Sequence, residues 1–250
     1  MKKKYAGSPL PRARPRRGPT PAAGPCAACA VRMLSVCGVI QEIDLHRLAA
    51  IAKAQEAEAH HTFVTAGDPA AFLFNITEGV VKVYRLLSDG RQQITGFLFS
   101  GDFLGLGADD TYAFSAEAVT RVRYCRFERG ALMRLLVEFP RMEKRLLGIA
   151  SSELAAAQEQ MVLLGRKTAR EKLATFLTML SRRMPSLGNS RDRLDLPMSR
   201  ADIADYLGLT TETVSRTFTQ LRGEGLIELP KGGGVRLRRE SALAEIGEGG

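Results

Sequence analysis

The chain has 250 residues, 45% of them hydrophobic, which supplies enough apolar surface for one large domain or two ordinary ones and excludes a disordered protein. No run approaches the roughly 18–20 apolar residues of a membrane-spanning helix, and the N-terminus lacks the apolar core of a secretory signal, so the reading is a cytoplasmic protein without a membrane partner. The 36 Lys and Arg outnumber the 27 Asp and Glu, for a net charge of +9 that is unevenly spread.

Residues 1–25 hold seven basic side chains, no acidic ones and six of the eleven prolines. They have too little apolar surface to offset their ordering entropy and read as a disordered basic tail. Residues 26–164 are net −2, residues 165–240 net +6, and the last ten residues, read as a C-terminal tail, net −2. The basic C-terminal segment fits a nucleic-acid footprint, although charge alone fits a solvated surface equally well.

Cys26, Cys29 and Cys37 form a C-x2-C-x7-C cluster, and Cys125 stands alone much further on. Disulfides are rare in the cytoplasm, so the cluster points to metal or redox chemistry. Four thiolates suit an iron–sulfur cluster or zinc by count, and thiol switching or no joint site remain open. Zinc more often uses paired CxxC knuckles, and a lone strand cysteine such as Cys125 is usually a small core residue.

Gly67, Gly79, Gly90 and Gly101 fall 12, 11 and 11 residues apart, which implies short strands joined by regular turns. The stretches Phe72 to Ile76, Val80 to Leu86, Ile94 to Phe99 and Thr120 to Phe127 are rich in β-branched and aromatic residues, so an antiparallel β-domain is expected over 26–140 together with the cysteine segment. Such a domain often holds a small ligand. From Asp102 to Thr120 there is no Lys or Arg, and Gly105-Leu106-Gly107 lacks the third glycine of a dinucleotide loop, so an anionic ligand is disfavoured there.

After Pro140, apolar residues recur at Leu147, Ala150, Leu154, Ala157, Met161 and Leu164, an a/d seam on a helix over 141–165. The seam reads as a homodimer interface, because the segment that follows needs a two-fold partner to read two DNA half-sites. That segment, 166–240, carries a helix-turn-helix pattern. Ser199 caps a helix from Arg200 to Leu207, Gly208 makes the turn, and Thr210 caps a second helix from Thr211 to about Leu221. Ser199, Thr211, Glu212, Ser215 and Arg216 are the candidate contacts to double-stranded DNA, with Arg216 suited to guanine and Glu212 to cytosine. Leu226 to Leu229, the turn Pro230 to Gly234, and Val235 to Leu237 complete a two-stranded wing. The fold class is thus α+β: an N-terminal antiparallel β-roll, a long dimerisation helix and a C-terminal winged helix-turn-helix domain.

In this order of parts the chain resembles the CRP/FNR transcription regulators over nearly everything after residue 25. It is most similar to the FNR branch, through Gln92-Gln93-Ile94-Thr95-Gly96-Phe97, Gly101-Asp102, Tyr206-Leu207-Gly208-Leu209-Thr210 and Glu212-Thr213-Val214-Ser215-Arg216. The resemblance implies that Cys26, Cys29, Cys37 and Cys125 hold a [4Fe-4S] cluster that senses oxygen. It implies that Glu212, Ser215 and Arg216 read an inverted repeat with TTGAT-like half-sites, and that a loop at about Leu87 to Arg91 meets RNA polymerase. Cyclic nucleotide is disfavoured, because no basic residue stands between Asp102 and Thr120 for its phosphate. Two departures matter: seven residues rather than five separate Cys29 from Cys37, and Ala157 stands where some members carry an aspartate whose repulsion keeps the cluster-free protein monomeric.

Rival readings stay within regulation: a structural zinc or cluster-free cysteine site answering nitric oxide or thiol redox state, or haem held by His46, His60 or His61. No Ser-His-Asp or metal-hydrolase constellation is present and Asp109 with Asp110 reads as a solvated turn, so the chain is not read as an enzyme.

Overall fold

The computed structural model describes residues 26–107, 110–184, 193–231 and 233–249. The basic tail over 1–25 and Asp109 lie outside them. The cysteine segment makes two 3-10 turns, Val36–Val39 and Glu42–Asp44, and leads into helix α1 (Leu45–Ile51). Strands β1 (Ala52–Ala57), β2 (Thr62–Val64), β3 (Phe72–Glu78), β4 (Val81–Leu86), β5 (Gln92–Leu98), β6 (Phe103–Leu104), β7 (Ser115–Ala118) and β8 (Val122–Glu128) follow. They form two four-stranded antiparallel sheets, β1-β8-β3-β6 and β2-β7-β4-β5, the expected β-roll. The regularly spaced glycines make its corners. At Gly79, φ is +89° and an added Cβ would lie 2.4 Å from the Arg121 carbonyl oxygen, so only glycine fits.

Alternation along β3 and β8 gives the roll two apolar sides. Phe74, Ile76 and Tyr124 fill its interior, where Phe63 stacks on Tyr124 at 4.8 Å. Leu73 and Phe127 point the other way, into a second core with Cys26, Val36, Cys37, α1, helix α2 (Arg129–Glu138) and the start of helix α3 (Pro140–Arg166). The cysteine segment is therefore the cover of one sheet.

Proline at its first turn starts α3, a 27-residue helix about 40 Å long. Met142 and Leu146 are buried on the roll, yet Ser151 to Glu159 are exposed on every side within the single chain. No helix among the described residues is long and apolar enough to cross a membrane.

Helix α4 (Ala169–Arg183) opens with a Thr168–Glu171 capping box, and β9 (Arg193–Leu194), α5 (Arg200–Leu207), α6 (Thr211–Gly223), β10 (Ile227–Glu228), β11 (Val235–Leu237) and α7 (Glu240–Glu248) complete the chain. The wing has three strands in the order β10-β11-β9, one more than the sequence pattern foretells, because two residues of β9 carry no period of their own. The segment 241–250, read as a tail, is for the most part α7. Its Leu243 and Ile246 are buried, and an added Cβ on Gly247 would lie 3.1 Å from Thr175 Oγ1 of α4. An i, i+3 apolar pair that finds a partner surface is a helix face rather than a solvated end.

This C-terminal core continues onto the roll. Phe97 of β5 meets Tyr206 of α5 at 5.3 Å and Phe176 of α4 at 6.1 Å. Lys82 Nζ bridges Asp202 of α5 at 3.0 Å and Glu117 of β7 at 3.2 Å, and Gln93 Nε2 donates to the Asp205 carbonyl at 2.6 Å.

Candidate cysteine site and nucleic-acid interface

Cys26 and Cys37 are buried, while Cys29 and Cys125 are half-buried and line one cavity of about 470 Å³ with Ala54, Glu56, Glu78 and Arg123. All four thiols are free. Cys125 is paired in register with Ala54 on one side and Asn75 on the other. The segment between Cys29 and Cys37 is built locally: Ser35 Oγ accepts from Cys37 N at 3.3 Å and donates to the Arg32 carbonyl at 3.0 Å. It is also tied to the long helix, since Arg145 Nη2 donates to the Leu34 carbonyl at 3.0 Å and Val36 packs in one cluster with Met142 and Leu146.

The thiols burden one another. Burial pushes Cys37 up to about 12; the Ser35 hydrogen bond works against this, and the charges of Cys26, Cys125 and Cys29 add to it. Burial, then Cys26 and Cys29, lift Cys125 to about 11. Cys26 is raised by burial and by Cys29, with only Arg32 opposing. Among the described residues, no three side chains of metal-binding type converge on a point that one ion could occupy.

In the C-terminal domain, Gly208 adopts φ +61°, ψ +46° and closes α5, and the Thr210 hydroxyl accepts from Thr213 N at 3.2 Å to start α6. On α6 the buried residues Val214, Thr217, Phe218 and Leu221 mark the core face. Thr211, Glu212, Ser215 and Arg216 are exposed on the remainder. The backbone N–H of Glu212 and the Thr210 hydroxyl hold the Glu212 carboxyl below its ordinary range. Arg216 has no hydrogen-bond or ion-pair partner among the described residues. Ser199 is placed differently from the other four: its hydroxyl caps Asp202 N at 3.0 Å and donates to the Asp202 carboxylate at 2.6 Å. Arg200, the next residue, lies 3.4 Å over the Phe218 ring and clamps the two helices together.

Of the seam residues, Leu147, Leu154 and Met161 are 67%, 62% and 65% exposed, Ala157 is exposed and Ala150 half-buried. Leu164 departs from them and packs on the helix-turn-helix core of its own chain, its Cδ2 3.1 Å from where a Gly208 Cβ would stand. A straight helix drifts about 20° per heptad, which carries the last seam residue round to the intramolecular side. His46, His60 and His61 are all exposed. The sequence pattern singled out neither Asn75 nor the Lys82–Asp202 pair. Asn75 carries a weak signal, as a residue depleted in strands that stands between Phe74 and Ile76.

A family model described as a cyclic nucleotide-binding domain matches residues 54–139, and one described as a Crp-like helix-turn-helix domain matches residues 171–246. The chain is 41% identical over 208 residues to the nitrogen fixation regulation protein FixK of Bradyrhizobium diazoefficiens, covering 83% of this chain and 88% of that one. It is 41% identical to the transcriptional activatory protein AadR of Rhodopseudomonas palustris (86% and 91% covered) and 36% identical to the transcriptional activator protein FnrL of Cereibacter sphaeroides (82% and 84%). The solved structure of FixK2 from Bradyrhizobium japonicum superposes with a TM-score of 0.73 at 34% identity, over 78% of this chain and 97% of that one. A β-roll, a long helix with an exposed middle and a helix-turn-helix thus stand beside these matches, and the chain belongs to the CRP/FNR family of helix-turn-helix transcription regulators.

Proposed function

We propose that this chain is an oxygen-responsive transcriptional activator of the FNR type. Cys26, Cys29, Cys37 and Cys125 hold a [4Fe-4S] cluster, and the dimer binds inverted repeats with TTGAT-like half-sites when oxygen is low. The observation that carries the reading is the meeting of the four thiols: Cys26, Cys37 and Cys125 pack in one cluster, and Cys29 and Cys125 line one cavity. Three come from one segment and the fourth from a distant strand, yet each of Cys26, Cys37 and Cys125 is raised in part by the charge of others in the set. Thiolates so placed require a cation to coexist. Zinc more often takes paired CxxC knuckles, whereas Cys125 stands alone in its strand, and this spacing favours the cluster.

When bound, the cluster supplies chemistry that oxygen can reverse; the rest is the work of this chain. Anchoring Cys29 and Cys37 fixes the turn between them, and through Arg145 and the packing on Met142 and Leu146 that turn fixes the first part of α3. Helix α3 then presents Leu147, Leu154 and Met161 to a second copy, and the pair of α6 helices is set about 34 Å apart for successive major grooves. Losing the thiol anchor loosens that turn, a ligand-biased equilibrium. Ala157 buries no like charges across the two-fold, so oxygen control acts through the orientation of α3 rather than through dissociation; an air-exposed sample that sediments as a pure monomer at micromolar concentration overturns this point. The names of AadR and FnrL support activation, and the exposed β4–β5 loop from Leu87 to Arg91 is the surface offered to RNA polymerase. Thr211, Glu212, Ser215 and Arg216 are the residues offered to base edges. Cyclic nucleotide is not the ligand in this reading, because no basic residue between Asp102 and Thr120 is offered to its phosphate.

The test is iron, sulfide and zinc analysis with an absorption spectrum on protein purified without oxygen and then exposed to air, followed by DNA binding in both states. About four irons and four sulfides per chain, with a visible band that bleaches as DNA affinity falls, are expected. Zinc, a haem band or no metal at all overturns the sensing mechanism and leaves a regulator answering another signal.

A further inference from the structure

Asn75 on β3 is paired in register with Cys125 on β8, so the two side chains leave the sheet on the same face with Cβ atoms about 5 Å apart. Leu73 and Phe127 flank them and are sealed beneath Cys26, Val36 and Cys37. On the other side of β3, Asn75 is paired with Phe103, itself buried in the same cluster. Asn75 is 1% exposed, and its Oδ1 has no hydrogen-bond partner among the described residues. The buried hydroxyls elsewhere are satisfied: Ser35 donates to Arg32, Thr178 to Ala174 and Thr217 to Thr213, and Ser115 accepts from Ala66. A buried amide without a partner is destabilising, and an apolar residue of the same size would remove that cost. Its persistence beside a thiol therefore calls for a partner that the folded chain itself does not supply.

We infer that Asn75 is a positioning residue of the cysteine site, whose carboxamide hydrogen-bonds the sulfur of the group that the four cysteines hold. A half-turn about the last side-chain bond exchanges the carbonyl oxygen and the NH₂, so the place now taken by Oδ1 serves equally for an N–H donor. Thiolate and sulfide sulfurs are electron-rich acceptors, and donors to them tune the potential of iron–sulfur centres and secure their ligands. The inference rests on the cluster reading of the site.

It is tested on the full chain, reconstituted without oxygen from a mixture of ferrous and ferric iron with sulfide, by comparing wild type with Asn75→Leu and Asn75→Ala. Both variants keep all four thiols. Iron is expected to pass to a chelator roughly tenfold faster in each variant, and the midpoint potential of the centre to fall. In the cluster-free state Asn75→Leu is expected to melt at or above wild type, because it removes an orphaned polar atom. Unchanged release and potential in variants that load fully overturn the inference while the cluster reading stands. A lower melting temperature in both states with an unmoved potential assigns Asn75 to packing and also overturns it. Wild-type protein that takes up no iron and sulfide overturns both readings together.

Discussion

Two sites in the chain cover polar groups and treat them differently. Where α5 meets the roll, burial alone would lower Lys82, but Asp202 and Glu117 hold it above its ordinary value. Burial alone would raise Asp202, but hydrogen bonds from Ser199 and Lys82 outweigh it and hold the carboxyl low. Beneath the cysteine segment the balance runs the other way, with Cys37 and Cys125 lifted by burial and by neighbouring thiols and an amide left without a partner. The junction is complete in its own charges. The cysteine site is balanced only while its thiols are protonated or while something from outside the chain joins them.

The sharpest way to break this comparison is Cys125→Ser, which removes the one proposed cluster ligand on the roll; iron and sulfide content is expected to fall to background, and a variant that retains both reduces Cys125 to a packing residue. Next in size is an alkaline weakness of the cluster-free protein. A thiol raised from 9.0 to about 12 stabilises the fold below the unfolded value, and that stability is lost as pH rises through the folded value, so Cys37 alone accounts for a loss of about 4 kcal/mol by the upper end of the window. Urea titrations from mildly to strongly alkaline pH measure it, and the slope should vanish in cluster-loaded protein, whose thiolates are already deprotonated.

At the junction, Lys82→Met leaves two largely covered carboxylates without their lysine and is expected to cost about 2–3 kcal/mol in chemical denaturation. The wild-type pair should weaken in acid, since a carboxyl held low, as Asp202 is, contributes above its unfolded value and loses that contribution as pH falls through the folded one. Arg216→Ala lies away from both sites and should leave stability and iron content unmoved while costing about 1–3 kcal/mol at one base pair of the half-site; an equal loss on every sequence makes it a phosphate contact. The smallest effect is Ser199→Ala, about 1 kcal/mol of stability from a lost cap, with thermal melting as the measure.

What could be read in advance was written in neighbouring residues. Glycine spacing marked the corners of the roll, and Ser199, Gly208 and Thr210 marked the ends of α5 and α6, because caps and left-handed turns depend on a few adjacent backbone groups. The apolar step along α3 was visible for the same reason, as was the exposed half of α6. Where the pattern misled, a surface elsewhere in the chain decided. Residues after Glu240 form α7 because α4 offers a groove, and Leu164 turns inward because Gly208 leaves room. The sequence by itself thus determined the corners of the roll, the helices α3, α5 and α6, their order, and the residue types carried on the exposed half of α6 and in the cysteine segment. Tertiary structure alone decided that Asn75 faces Cys125, that the turn between Cys29 and Cys37 grips α3 through Arg145, and that Lys82 finds Asp202. Those pairings join residues far apart in the chain, and their register is set by which faces must be buried together rather than by any local preference.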